Sequence, residues 1–310
     1  MVNLSLVIVT YNRLEKLKKS LQHYDQQSAG FTSLIVVNNA SIDGTEEFLS
    51  EWVDAEATYK KYVINLPENM GGSGGFYEGQ KFALSLNPDW IYVADDDAYA
   101  DKDMIREFYK FIGSHDNSAI SAVCAAVLNM DNTISYEHRS HVDFKWHVKF
   151  VMTPSMKSDY CTDYFSIDLL SYVGSFLRVA SLKKVGIVDR RFFIYADDGE
   201  HSFRLKQCGE IFCVPKMKIH HDSGQNSAVQ NNELIVSWRD YYAIRNMLNM
   251  LCRYNIFAAI YLTLAHAKML FAMQDKKWCR TKLVINAIID AWMNRLGKHY
   301  LYCPGWSVKK

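Results

Sequence analysis

The sequence predicts an α/β protein: a doubly wound, mostly parallel sheet with a helical region at its C-terminal end. Three observations carry this expectation. Short apolar, β-branched runs alternate with stretches of helical spacing from Leu4 to Leu128. The connections are short, and a β-α-β-α-β order then means parallel strands joined by right-handed crossovers. From Glu233 onward the strand pattern stops and helical patterning continues alone. The expected organisation is one main unit over residues 1–232 and a helical unit over 233–310.

Residues 4–10 read as the first strand, and Tyr11-Asn12-Arg13 as the turn leaving it. Leu14, Leu17, Leu21 and Tyr24 then recur at helical spacing. Residues 34–37 form a second strand. Asp43 and Glu46 have the spacing of a capping box for a helix that buries Phe48, Leu49 and Trp52. Residues 62–66 are a third strand, followed by a loop with four glycines in the five residues from Gly71 to Gly75. Such a loop, opening a helix, brings backbone N–H groups close to a ligand. It lacks the glycine spacing of a dinucleotide fingerprint and the Gly-Lys-Ser/Thr of a P-loop.

Residues 90–94 are a buried strand that ends abruptly in Asp95-Asp96-Asp97. Three adjacent anions repel one another, so packing gives no reason for them. A hard divalent cation, Mn²⁺ or Mg²⁺, does, because it takes carboxylate and substrate phosphate oxygens together. A solvated turn with a helix cap is the plainer reading of the triplet. In open α/β sheets the ligand crevice lies beyond the carboxyl ends of the strands, where the triplet falls.

Asp101 is expected to start a helix with Met104, Ile105, Phe108, Phe111 and Ile112 on one face, and residues 120–128 to form another strand. Residues 129–167 read as irregular, the pattern of a lid or binding loop with acceptor contacts. Asp197-Asp198-Gly199-Glu200-His201 follows an aromatic run and opens a helix. Carboxylates there favour the helix dipole, and they also suit a group transfer that needs a base. Asp198 is the candidate base, with Asp197 and Glu200 orienting the acceptor. Of the adjacent pair His220 and His221, which face opposite sides of a strand, His221 is the preferred third metal ligand.

The net charge of +1 conceals an asymmetry: residues 201–310 carry 16 Lys/Arg against 6 Asp/Glu. The basic end suits an anionic surface such as lipid headgroups. The apolar segment 256–273, flanked by Lys276, Lys277, Arg280, Lys282, Arg295 and Lys298, fits a helix lying in a membrane interface, with a helical cap or a homo-oligomer interface as the competing reading. Seven scattered cysteines without a Cys-x-x-Cys spacing, and a start without a basic leader, predict a reducing, cytoplasmic compartment. Attachment would be peripheral, at the inner face of the cytoplasmic membrane.

Taken as an ordered set, these motifs resemble family 2 glycosyltransferases, an inverting group with the Rossmann-like GT-A fold. The resembling stretches are residues 7–13, 37–45, 68–76, the Asp triplet, Asp197-Asp198 and residues 238–246. Asn38 stands where the family commonly has Asp. The resemblance covers roughly residues 4–250 and is nearest to the bacterial galactofuranosyltransferase and rhamnosyltransferase branch. It implies a nucleotide-sugar donor, UDP-galactofuranose in preference to dTDP-rhamnose, and a cell-surface glycan or lipid-linked glycan as acceptor. It further implies donor contacts from Thr10, Asn12, Arg13, Asn39, Asp43, Asn69, Asp95 and Asp96, metal ligation by Asp95, Asp97 and His221, and acceptor contacts from Glu200 and His201. No nucleic-acid partner is expected. A nucleotidyltransferase would need a basic Gly-rich loop after the first strand, where this chain has Thr10-Tyr11-Asn12-Arg13. A non-catalytic carbohydrate-binding protein would not need two acidic clusters.

Overall fold

The computed structural model describes residues 2–223, 236–272 and 277–308. The elements in chain order are β1 (Leu4–Thr10), α1 (Leu14–Asp25), β2 (Ser33–Asn38), α2 (Thr45–Asp54), β3 (Lys60–Asn65), α3 (Gly71–Ser85), β4 (Trp90–Asp95), β5 (Ala98–Ala100), α4 (Met104–Ser114) and β6 (Ile120–Leu128). They continue as β7 (Arg139–Lys145), β8 (Lys149–Pro154), β9 (Phe165–Ile167), β10 (Leu169–Leu170), β11 (Ser175–Arg178), α5 (Val179–Val185), α6 (Asp197–Lys206), β12 (Glu210–His221), β13 (Val236–Ser237), α7 (Trp238–Tyr254), α8 (Ile256–Ala272), α9 (Lys277–Trp292) and β14 (Ser307–Val308).

The main sheet runs β3-β2-β1-β4-β11-β6-β12-β5. The first four strands are parallel, as the βαβ alternation requires, and β6 and β12 are parallel to each other. Short β11 is inserted antiparallel between β4 and β6. Alternation along β1 explains the two-layer core. Leu4, Leu6 and Ile8 pack with Leu17, Leu21 and Phe108 from α1 and α4 on one face. Val7 and Val9 pack with Phe76 and Ala83 of α3 on the other.

Four local expectations are corrected. The Gly-rich stretch is the opening of α3 itself, and the glycines of that helix, Gly79 farther along included, allow close packing. A Cβ on Gly79 would lie 2.3 Å from Val7 Cγ1, and one on Gly75 2.5 Å from Val9 Cγ1. Asp43 and Glu46 form no capping box: the cap position of α2 is Gly44 at φ 87°, and Asp43 instead accepts from Leu14 N and Thr45 Oγ1. Helix α4 begins at Met104, after Asp103 rather than at Asp101. Much of residues 129–167 is an antiparallel hairpin, β7 with β8, to which β10 adds a third strand. It escapes the eye because β8 is half-exposed and carries no clean alternation.

The boundary at 232/233, Glu233, Met273 and Lys276 lie outside the described residues. The chain beyond 236 is not helical throughout: β13 precedes α7, and the end of the chain returns to pair β14 with β13. Ser237 and Asp240 form the capping box that starts α7. Tyr241, Tyr242, Leu283 and Val284 join α7 to α9, and Phe193 ties this cluster to the main unit.

Candidate active site

The acidic triplet lies where β4 ends beside β1. Thr10 Oγ1 donates to Asp96 Oδ2 at 2.7 Å. Arg13 Nη1, on the turn leaving β1, donates to Asp97 Oδ2 at 2.6 Å and to Asp96 Oδ1 at 3.3 Å. Lys16 of α1 stands 3.8 Å from Asp97 Oδ2. The turn and helix after the first strand thus supply the cations that let three carboxylates share one strand end.

Strand pairing selects the histidine. After the triplet the chain doubles into β5, which pairs antiparallel with the end of β12, so that His221 faces Ala98 and His220 faces Tyr99 in register. Alternation sends the two rings to opposite faces. His221 Nε2 comes to 3.3 Å from Asp97 Oδ1, whereas His220 turns to Asp101 and Asn132. Asp95, Asp97 and His221 each offer a ligand atom, and these atoms lie within 4.8 Å of one another. Asp97 Oδ1 is buried and, apart from the His221 imidazole at 3.3 Å, has no hydrogen-bond partner. A buried carboxylate oxygen facing a second carboxylate and an imidazole fits a divalent cation. Burial and the adjacent Asp97 push Asp95 up to about 8. Burial also pushes Asp96 up, to about 6, against Arg13 and Thr10. Burial acts upward on Asp97 too, but His221, Arg13 and Lys16 outweigh it and hold that carboxyl below its ordinary range.

A cleft of about 420 Å³ opens on the triplet, and Thr10, Arg13, Asn39, Asn69, Asp95 and Asp96 line it. Asn39 is buried, accepts from Met70 N and donates to Gly71 O, so the end of β2 fixes the entry to α3. Asn12 and Asp43 are not in the cleft lining. Asn12, at φ 51°, accepts from Ile42 N and so ties the turn after β1 to the turn after β2. Phe193, Ile194, Trp238 and Arg239 complete the wall. The first two come from the aromatic run before Asp197.

A second cavity of about 330 Å³ contains Asp198, with Glu137, His138, Tyr195, Met152, Met247 and Met250. His138 connects the two sites: its ring stands edge-on to His221 with centroids 5.1 Å apart. Burial and neighbouring Asp197 push Asp198 up to about 7, and burial pushes Asp197 up as well. Glu200 and His201 do not reach this cavity. Glu200 is buried in an ion cluster, accepting from Arg204 Nη2 at 2.8 Å, Arg253 Nη1 at 3.2 Å and Tyr254 Oη at 3.0 Å. His201 is buried between Tyr172 Oη at 2.5 Å and Gly186 O at 3.1 Å, and burial drives its pKa down to about 3. Both face inward because α6 turns its Asp198 side to the cavity and its Glu200–His201 side to α5 and α7. Glu137 and His138 had no signal beyond their place in a stretch rich in polar residues.

The model of the family described as "Glycosyl transferase family 2" matches residues 5–186. Galactofuranosyltransferase GlfT1 of Mycobacterium tuberculosis is 26% identical over 216 residues, 69% of this chain and 68% of that protein. Among solved structures, GalNAc-T7 with UDP, GalNAc and Mn²⁺ superposes with a TM-score of 0.62 at 11% identity, covering 94% of this chain and 56% of that one. S. aureus TarS in complex with UDP superposes with a TM-score of 0.60 at 15% identity, covering 94% of this chain and 82% of that one. The fold is accordingly that of the GT-A glycosyltransferases.

Proposed function

The chain belongs to glycosyl transferase family 2, and from that premise we propose an inverting, metal-dependent transfer of a sugar, galactofuranose from UDP-galactofuranose, to a hydroxyl of a glycan or lipid-linked glycan. The observation that carries the reading is the adjacency of two cavities. One is lined by Asp95, whose carboxylate clusters with Asp97 and His221; the other holds Asp198, and the His138–His221 contact joins it to that cluster. The galactofuranose donor is favoured by the likeness to GlfT1.

Asp95, Asp97 and His221 would hold the cation, which when bound neutralises charge on the donor's diphosphate. Thr10, Arg13, Asn39 and Asn69 line the cleft for the nucleotide. Asp198 takes the proton of the acceptor hydroxyl. The freed oxygen forms the new bond to the anomeric carbon as the carbon–oxygen bond to the diphosphate breaks, and the nucleoside diphosphate leaves with that electron pair. Attack opposite the leaving group inverts the anomeric configuration, and no covalent enzyme intermediate forms. Met152, Met247 and Met250 give the cavity around the base an apolar wall.

Calorimetric titration with UDP, UDP-galactofuranose and dTDP-rhamnose, in Mn²⁺ and again in EDTA, tests the reading. Tight UDP binding that needs the metal supports it. A preference for dTDP reassigns the donor to rhamnose, and no nucleotide binding in either condition overturns the transfer reading.

A further inference from the structure

The partition between the two cavities is a single strained segment. Phe193 and Ile194 face the cleft of the acidic triplet, and Tyr195, Ala196 and Asp198 face the other cavity. Three of the residues before α6 have positive φ although none is glycine: Phe193 at 70°, Tyr195 at 66° and Ala196 at 61°. At Phe193, ψ is −59° and Ile194 N donates to Phe192 O at 2.9 Å. This is a γ-turn of the strained, positive-φ kind. L-residues hold such conformations only where their surroundings over-determine them.

The surroundings here are two neighbouring side chains of α7. Asn246, fully buried, presents Nδ2 to three carbonyls of the segment: Phe192 O at 2.9 Å, Ile194 O at 2.7 Å and Tyr195 O at 3.0 Å. Its Oδ1 accepts from Arg245 Nε at 2.8 Å. A guanidinium only donates, so this contact fixes which way the amide points. Arg245 also donates to Phe192 O at 3.1 Å and Gly297 O at 2.7 Å, and lies over the Tyr242 ring at 4.7 Å. From the other side Ser73 N donates to Phe193 O at 3.2 Å. A Cβ on Gly71 would fall 2.0 Å from that carbonyl oxygen, so the donor-side wall is pressed against glycine backbone.

We infer that Asn246, oriented by Arg245, is a positioning residue that clamps residues 192–196 in their strained course and thereby sets where Asp198 stands relative to the donor cleft. The inference rests on Asp198 being the base. The clamp acts at a distance from substrate, since neither Arg245 nor Asn246 lines either cavity. Its work is to hold three carbonyls that a relaxed loop would turn away.

The test uses the full chain with Asn246→Ser, Ala196→Gly and Asp198→Asn measured in parallel for sugar transfer, UDP affinity and Tm. Asn246→Ser is expected to lower kcat at least tenfold while UDP affinity changes less than threefold. Retention of kcat within twofold overturns the clamp, and so does a loss of UDP affinity in step with kcat. Ala196→Gly keeps the proposal open to refutation if Asn246→Ser fails to fold. Glycine adopts positive φ freely, so this variant should keep or raise Tm yet lower kcat at least threefold, and unchanged kcat overturns the inference. Asp198→Asn separates the two readings. If it is inactive while both other variants are active, only the clamp fails. If it turns over normally, the base assignment falls.

Discussion

Arg13 Nη1 lies 2.6 Å from Asp97 Oδ2, and His221 Nε2 lies 3.3 Å from the other oxygen of the same carboxylate. Asp97 is thus placed between a fixed cation and an imidazole, and its buried Oδ1 has no other partner than that imidazole. Asp97→Asn keeps the shape and removes the charge that a divalent cation needs. UDP affinity in Mn²⁺ should drop by at least about tenfold and match the affinity in EDTA, where the wild type should show a clear difference between the two. Arg13 keeps Asp96 as a partner, so the variant should fold. A metal response equal to that of the wild type would remove Asp97 as a ligand.

Asp198 controls a pH dependence whose sign follows from its raised pKa, about 7 through burial and the adjacent Asp197. A base must be ionised, so transfer should rise with pH through that region and then level off. The midpoint belongs to the Asp197–Asp198 pair and not to one residue. Asp198→Asn should lower kcat by about 10²–10⁴-fold. Stability runs the other way. The folded state holds this proton more tightly than the unfolded chain, so the associated stability is present below the ordinary carboxyl range, ~4, and is lost as pH rises toward 7. Asp198→Asn should therefore raise Tm at pH 8 and leave it nearly unchanged near pH 4, which thermal melts at the two pH values will check.

The strand ends were legible in the sequence because polar and acidic residues after apolar runs have few reasons to be there. That logic singles out Thr10, Asn39 and the Asp triplet at the cleft, and equally Asn12 and Asp43, which do not line it. His221 is preferred to His220 in the sequence without such an argument, because the register that separates them comes from β5, a three-residue strand with no pattern of its own. What failed was inference from proximity in sequence. Glu200 and His201 follow Asp198 closely, but a helix turns 100° per residue and carries them to another face. Residues 238–246 were noted as a motif, yet nothing in one dimension shows Asn246 reaching back to carbonyls about fifty positions earlier.

Glu200 should behave as a structural residue. It is 2% exposed and bound by Arg204, Arg253 and Tyr254, so Glu200→Gln leaves the Arg204 guanidinium without a carboxylate partner, while Arg253 keeps Asp189 at 3.4 Å. Breaking a buried pair of this kind costs about 3–5 kcal/mol. Denaturant melts should show a loss of that order with the acceptor KM unchanged. A selective rise in acceptor KM at full stability would restore the acceptor role expected from sequence.

Gly79, in the middle of α3, tests whether the glycines of that helix serve packing. An added Cβ would meet Val7 Cγ1 at 2.3 Å and Val37 Cγ2 at 3.0 Å, both on central strands of the sheet. Gly79→Ala should be destabilising by about 1–3 kcal/mol from overpacking, against the usual gain of alanine in a helix. Gly72 is the control: its Cβ direction is open, so Gly72→Ala should leave Tm within a degree or two. Equal Tm for both variants would show that the helix can shift off the sheet and that close packing is not the reason for glycine.

The last prediction concerns the exposed apolar residues of α8 and α9, where we propose contact with an anionic membrane surface. Phe257 is 62% exposed, Leu264 64% and Trp278 80%, on α8 and α9, the helices that also carry Lys268, Arg280 and Lys282. No helix among the described residues is long and apolar enough to cross a membrane. Apolar side chains with interspersed Lys and Arg match an interface of acyl chains beneath anionic headgroups. The full chain should float with vesicles containing phosphatidylglycerol, less with phosphatidylcholine alone, and less again in high salt. The double variant Phe257→Asp with Trp278→Asp should reduce the floated fraction at least fivefold without changing UDP affinity, since neither residue lines the nucleotide cleft. Undiminished flotation of that variant would place the lipid contact elsewhere. A dimer in light scattering that the same double variant dissolves, with no vesicle binding by the wild type, would assign these residues to contact with a second copy of the chain.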